Sequence, residues 1–167
     1  MALRVTMPTA AQVRQLPELA RVRVPREWED INGHVNVQHH LGLYDMTTDR
    51  LMALLGISRE WVRQQRVGII DLEHHIWFQR ELFAGEEVAA YLRFTARNAK
   101  RVQGIVFMLD ETDGTLASAI EFVSMALDLD ARRAIALPEV VARNIDTLLD
   151  THSALAWAAP TSGAMHI

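Results

Sequence analysis

The sequence of 167 residues contains no cysteine. That absence excludes disulfides, thiolate metal sites and a cysteine nucleophile together. It is compatible with the cytoplasmic location expected for this chain. Long apolar runs are missing as well. None approaches the roughly 18 residues that a membrane span needs, so no membrane association is expected. Residues 1–16, MALRVTMPTAAQVRQL, hold no sustained apolar stretch of the kind that marks a signal peptide. Positive charge is scarce in any ordered form: the 17 Lys and Arg residues are scattered and the formal net charge is −4. Without a basic stripe there is no reason to expect nucleic acid as a partner. No His-Glu-x-x-His is present, the spacing of His34, His39 and His40 makes no convincing ligand set, and no metal is expected. No internal repeat or linker divides the chain.

What is present is the composition of an ordinary soluble globule, 50% apolar and 23% charged. The length fits one domain, whose core a pair of chains would bury better. Residues 1–20 read as an N-terminal arm with a short helix, 21–150 as the domain, and 151–167 as a loose tail. Residues 21–24 alternate basic and β-branched side chains, as in a short strand. Asn32-Gly33 marks a tight turn. From Val37, apolar residues recur at helical spacing through Leu41, Tyr44, Thr48, Leu51 and Leu55, and Leu43, Met46, Met52 and Leu54 widen that face. One largely buried helix over 37–55 is therefore expected, capped by Asn36 and stopped at Gly56, with a loop carrying Trp61 after it. Residues 70–82, 87–97, 101–111 and 116–130 read as long strands joined by short polar or glycine-bearing turns, hence antiparallel hairpins. The third has apolar residues on both faces and should be covered on both. Residues 138–150 suit a helix that starts at a proline. A central helix wrapped by one antiparallel sheet is an α+β plan.

That order, together with Asp30-Ile31-Asn32-Gly33-His34-Val35-Asn36 at the first turn, resembles the 4-hydroxybenzoyl-CoA thioesterase group of hotdog proteins over residues 20–145. The group's usual second asparagine is Val37 here. The betainyl-CoA thioesterases of carnitine breakdown look more similar still. The likeness rests on Trp28 to Asn36, Tyr44-Asp45 with Thr48-Asp49, Asp71-Leu72-Glu73-His74-His75-Ile76, Lys100-Arg101, and 127–130 followed by Arg132-Arg133. The resemblance implies a hotdog fold and an acyl-CoA substrate, with coenzyme A as part of the substrate and no other cofactor. It also implies a homo-oligomer, a dimer or tetramer, with its sites between subunits.

Thioester hydrolysis needs a carboxylate to attack or to activate water, and donors aimed at the developing oxyanion. The N–H groups at a helix start are unpaired and suited to negative charge. The resemblance assigns the carboxylate to Asp30 and an oxyanion donor to the backbone N–H near Val37; Asp30 could equally only stabilise its turn. His34 could orient that carboxylate or be a hydrogen-bonded turn histidine, and Asn36 could serve as cap, catalytic group or both. Glu73, His75 and Trp77 share a strand face. If that face meets the helix start of a neighbouring subunit, Glu73 becomes a second acid/base group; otherwise it is solvated or paired with Arg80 or Arg93. His74 should face the other way as a structural residue. Lys100, Arg101, Arg132 and Arg133 could meet the phosphates of coenzyme A or be solvated charge. Trp28, Tyr44, Trp61, Trp77 and Phe78 could line an acyl pocket fit for a quaternary ammonium, or be core. Two other functions compete. A hotdog hydratase or dehydratase would carry Asp-x-Asn-Pro-x-His, and residues 30–34 lack that proline and are one residue short. A non-catalytic acyl-CoA binding module would keep Asp30 without competent geometry.

Overall fold

A computed structural model describes residues 5–167. Helix α1 (Ala10–Val13) is a single turn closed by a capping box between Thr9 and Gln12. Strand β1 (Glu18–Arg23) and a 3-10 turn (Arg26–Trp28) lead into the turn at Asp30. Helices α2 (Val37–Asp45), α3 (Thr48–Leu54) and α4 (Arg59–Gln65) follow. Then come β2 (Val67–Phe78), β3 (Glu87–Arg97), β4 (Arg101–Asp110), β5 (Thr115–Asp128), the two-residue β6 (Arg133–Ala134) and helix α5 (Glu139–Ser153). Every pairing is antiparallel. The sheet runs β1-β3-β4-β5-β2, with β6 beside β5, so β2 is an edge strand. One antiparallel sheet against a central helical segment is the α+β plan the sequence led us to expect.

Alternation along the strands sorts their side chains into two packed faces. Leu92, Phe94, Val106, Met108, Ile120 and Phe122 point to the inner face and meet Leu43, Tyr44, Leu51 and Leu55 of the helical segment. Tyr91, Ile105, Phe107 and Ala119 point to the outer face, where Val13, Leu16 and Trp157 cover them. Strand β4 is thus buried on both sides, as its two apolar faces foretold.

Several expectations give way. The helix over 37–55 is broken at 46–47. Buried Thr47 donates its hydroxyl to Tyr44 O at 2.7 Å, a local bond that competes with the helix ladder. Its apolar face is also not uniformly covered: Val37 is 56% exposed and Met46 48%. Residues 59–65 form α4 rather than a loop, because the Ser58 hydroxyl caps it by accepting Trp61 N–H at 3.0 Å. The arm is partly sheet, since β1 begins at Glu18. The expected looseness of 151–167 is absent. Trp157 packs on Phe107 and Met165 is buried, and Ser162 N–H donates to the buried Glu121 carboxylate at 2.9 Å. Apolar area on the outer face of the sheet holds both ends of the described chain in place.

Candidate active site

The turn at 30–36 is built by its own backbone. Asp30 N–H donates to His34 O at 2.9 Å and Gly33 N–H to Asp30 O at 3.0 Å. Gly33 takes a positive φ of 80°, which a side chain would oppose. The turn is anchored to its surroundings by Val35 N–H to Leu82 O and Asn36 N–H to Trp28 O, both 2.8 Å. Asp30 Oδ1 accepts Asn32 N–H at 2.8 Å, and Oδ2 lies 3.4 Å from the side-chain amides of both Asn32 and Asn36. The Asn32 backbone N–H, above all, holds the Asp30 carboxyl below the usual carboxylate range; His34 and the two amides add to this against the opposing effect of burial.

His34 links this carboxylate to a second one. Its Nδ1 is 2.9 Å from Glu81 Oε1 and its Nε2 3.8 Å from Asp30 Oδ2. Asn36 caps α2, its Oδ1 accepting Gln38 N–H at 3.1 Å. Val37 N–H donates to no group among the described residues. A cavity of about 400 Å³ opens at this helix start, lined by His34, Val37, His40, Phe78, Arg80 and Glu81 among others. Asp30 is not part of that lining and reaches the cavity by way of His34. A carboxylate, an imidazole and an unpaired N–H thus lie around one apolar-walled opening.

His40, which the sequence reading set aside, belongs here. It is buried on the stripe that also carries Leu43 and Tyr44, and that spacing was the available signal. Its Nδ1 is 2.9 Å from Ser118 Oγ, and the Ser118 hydroxyl in turn donates to Met108 Sδ at 3.2 Å. The serine proton being used, Nδ1 carries the imidazole proton and Nε2 is left as an acceptor. Burial, reinforced by His34 and His39, pushes the His40 pKa down to about 4. The three histidines diverge: His34 meets Glu81, His39 stacks on Trp28 with ring centres 4.7 Å apart, and His40 meets Ser118.

A second grouping was missed because strand β2 carries a bulge at Leu72. The bulge puts Asp71 and His74 on the same inner face. There Asp71 bonds His74 Nε2 at 3.1 Å and Ser124 Oγ at 2.5 Å, and Tyr44 sits edge-on to His74 at 4.8 Å. Burial opposes ionisation of Asp71, but the bonds from His74 and Ser124, with Tyr44, outweigh it and lower its pKa. Burial, then Asp71, raises the Tyr44 pKa, so its hydroxyl stays protonated. A cleft of about 200 Å³ lies beside this group, between the break in the helix and the sheet, lined by Tyr44, Asp45, Asp71, Phe94 and Phe122.

The remaining expected site residues are dispersed. Glu73, His75 and Trp77 do share a face, but it is the outer one, where Trp77 lies opposite Ala119 and packs on the outer cluster, and His75 lies 4.5 Å from the Trp77 ring centre. Glu73 therefore points away from the helix start. It is exposed and pairs with neither Arg80, held by Glu86, Asp110 and Asp113, nor Arg93. The expected ring cluster does not form: Trp28 and Trp61 edge the inner core, Trp77 lies outside, Phe78 lines the first cavity and Tyr44 the second. Lys100, Arg101, Arg132 and Arg133 are all exposed. They gather at one end of the sheet, where Lys100 O accepts Ala126 N–H and Arg133 lies opposite Asp128 in the β5–β6 backbone register. Asp30 lies at the other end.

Known proteins give this arrangement a context. A family model described as the thioesterase-like superfamily matches residues 24–145. The betainyl-CoA thioesterase of Pseudomonas aeruginosa is 25% identical over 129 residues, covering 77% of this chain and 81% of that protein. The L-carnitine dehydrogenase/betainyl-CoA thioesterase of Rhizobium meliloti is 23% identical over 149 residues, covering 89% of this chain. This chain spans only 29% of that longer protein's length. Among solved structures, a Staphylococcus aureus protein in complex with CoA superposes with a TM-score of 0.79 at 23% identity, over 91% of this chain and 95% of its own. A 1,4-dihydroxy-2-naphthoyl-CoA thioesterase from Synechocystis superposes with a TM-score of 0.68 at 15% identity, over 77% of this chain and 95% of its own.

Proposed function

Because this hotdog-fold chain belongs to the thioesterase-like superfamily, we propose that it hydrolyses an acyl-CoA thioester at the turn formed by Asp30 to Val37. The observation that carries the reading is the free Val37 N–H at the start of α2, opening on a cavity of about 400 Å³ next to the ionised Asp30. A thioester carbonyl oxygen placed on that N–H would gain a hydrogen bond as it becomes an oxyanion. The Asp30 carboxylate attacks the carbonyl carbon, or takes a proton from a water that does. Collapse of the tetrahedral intermediate breaks the C–S bond. When water attacks, the proton taken up by Asp30 passes to the leaving thiolate. When Asp30 attacks, the thiolate takes its proton from solvent and a water then hydrolyses the acyl-Asp30 anhydride. Both routes release coenzyme A as the thiol and the free acid. Both routes need the same carboxylate position. His34, between Asp30 and Glu81, is the positioning residue. The low pKa of Asp30 keeps it ionised at neutral pH, as either route requires.

Pairing of two copies supports this site. Edge strand β2 carries exposed Ile70, Leu72 and Phe78, and Val37, Leu41 and Met46 of the neighbouring helical segment are exposed too. Such an apolar strip beside an unpaired edge favours edge-to-edge pairing of two copies. A two-fold axis across β2 sets the start of the strand in one copy beside its end in the other. The basic end of one sheet would then lie next to the Asp30 turn of the second, within reach of coenzyme A phosphates. Both helical segments would share the inner face, so Glu73 is left out of the mechanism.

The acyl group we propose is betainyl. In the paired copies the acyl group on one chain's Val37 N–H would meet the cleft of the second copy, where Tyr44, Phe94, Phe122 and the ionised Asp71 offer rings and negative charge to a quaternary ammonium. The two named relatives point the same way. A competing reading, acyl-CoA binding without turnover, draws on the bond that already occupies Asp30 Oδ1. Thiol release from purified protein decides between them. Betainyl-CoA should be cleaved much faster than a neutral acyl-CoA of like size, and Asp30→Asn should lower the rate by at least about 100-fold with folding intact. No release from any acyl-CoA selects the binding module, full activity in the variant removes Asp30, and equal rates on the two substrates remove the betainyl assignment alone.

A further inference from the structure

Beyond Tyr91, strand β3 has no β1 partner, and α5 with residues 159–161 closes over its free edge. A cavity of about 470 Å³ is left there, and it shares no lining residue with the site at Asp30. Arg93 and His152 line it and are only 6% and 2% exposed. Each has a buried polar atom without a partner among the described residues, Arg93 Nη1 and His152 Nε2, and the Thr95 hydroxyl, in the same lining, is a third. The other atoms of these groups are engaged. Arg93 Nη2 donates to His152 O at 3.1 Å, and the guanidinium lies 4.0 Å from the Trp157 ring centre. His152 Nδ1 accepts Phe94 N–H at 2.9 Å, which places the single proton of the neutral ring on Nε2. Burial, with Arg93 adding to it, pushes the His152 pKa down to about 4, so this donor persists at neutral pH.

The three residues that wall this cavity therefore each hold a donor closed off from solvent and without a partner among the described residues, and one of them belongs to a buried cation with no carboxylate partner there. Water can accept from the donors but supplies no counter-charge. The carbonyl end of α5 gives Arg93 partial compensation through one bond of the five its guanidinium can make. Asp150, the one carboxylate in the lining, is exposed and makes no bond to Arg93. Leu149 and Ala159 supply apolar wall. We propose that this cavity binds a small organic oxyanion, small side-chain shifts turning Arg93 Nη1, His152 Nε2 and Thr95 Oγ1 onto its carboxylate or phosphate group while its carbon body lies against Leu149 and Ala159.

Titration of the full chain with butyrate, with glycerol phosphate, and with chloride at equal ionic strength tests this, read by thermal unfolding and by the change in tryptophan emission that is lost in Trp157→Phe, Trp157 being the ring beside Arg93. At least one of the two organic anions should raise the melting temperature saturably and chloride should not; the tighter of the two identifies the group. Arg93→Met should abolish the effect. Thr95→Val keeps the shape of the side chain and removes a hydroxyl that has no protein partner. It should fold as the parent does and weaken binding about tenfold, as expected for loss of a hydrogen bond to a charged group. No response to either anion overturns the proposal and leaves a water-filled cavity. So does a response undiminished in Thr95→Val, which would place the binding elsewhere.

Discussion

His40 and His152 are imidazoles kept neutral by burial, each with a pKa pushed down to about 4. In the unfolded chain they return to about 6.5. Between those values the unfolded state binds more protons, so stability is fully present above pH ~6.5, falls as the pH drops, and levels off below ~4. The effect is at most about 3 kcal/mol per imidazole. Denaturant unfolding of the parent and of His40→Gln at pH 7 and pH 4.5 should show a smaller loss in the variant; equal losses would mean His40 does not titrate as described. The sequence announced His34 and Asp30, because a carboxylate, Asn-Gly and an N-cap in one short stretch dictate a turn before a helix. It did not announce His40, whose role depends on Ser118, a residue 78 positions away. Nor did it announce Asp71, which meets His74 and Ser124 only because a bulge shifts the strand's phase. Alternation alone placed Glu73, His75 and Trp77 correctly on one face but could not say which face.

At the level of elements, two glycines separate close packing from open space. A Cβ at Gly104 in β4 would lie 2.8 Å from the Phe122 ring and 3.0 Å from Arg93 O. Phe122 is fully inside the inner core, against Tyr44 and Phe94, and has no room to retreat. Gly104→Ala should cost about 1–3 kcal/mol. A Cβ at Gly42 in α2 meets nothing within 4 Å, and there alanine should stabilise by about 0.5–1 kcal/mol. Denaturation midpoints that move in opposite directions would bear this out; a neutral Gly104→Ala would mean that the β4–β5 packing yields. Local periodicity located the four long strands because each side of the sheet has its own apolar set. It overran the helix, because Thr48, Leu51 and Leu55 continue the spacing of Leu41 and Tyr44 across a break made by one hydroxyl, that of Thr47. Helix α4 escaped notice because it is short and has no fully buried residue.

For the molecule as a whole, the two faces of the sheet have different tasks. The inner face carries the helical segment and both site cavities, and its β2 margin is the apolar strip proposed to meet a second copy. The outer face is occupied by the chain's own arm and tail: Val13, Leu16 and Trp157 lie on Tyr91, Ile105 and Phe107. A second sheet stacked there would have to displace them, so of the dimer and tetramer that the resemblance implies, we propose the dimer across β2. Composition could not show this, because the Ala-rich stretch after Ser153 reads as loose until Trp157 is seen against Phe107. Sedimentation should give the full chain twice its mass of 18.9 kDa. A chain ending at Ser153 loses the Trp157 cover and bares Phe107, and burial of an aromatic side chain is worth about 1.5–3 kcal/mol. It should be less stable and associate beyond the dimer through the exposed outer face, whereas Leu72→Lys in the full chain should shift it toward monomer. A shortened chain that stays dimeric and equally stable would show that the tail is not what keeps the outer face from pairing.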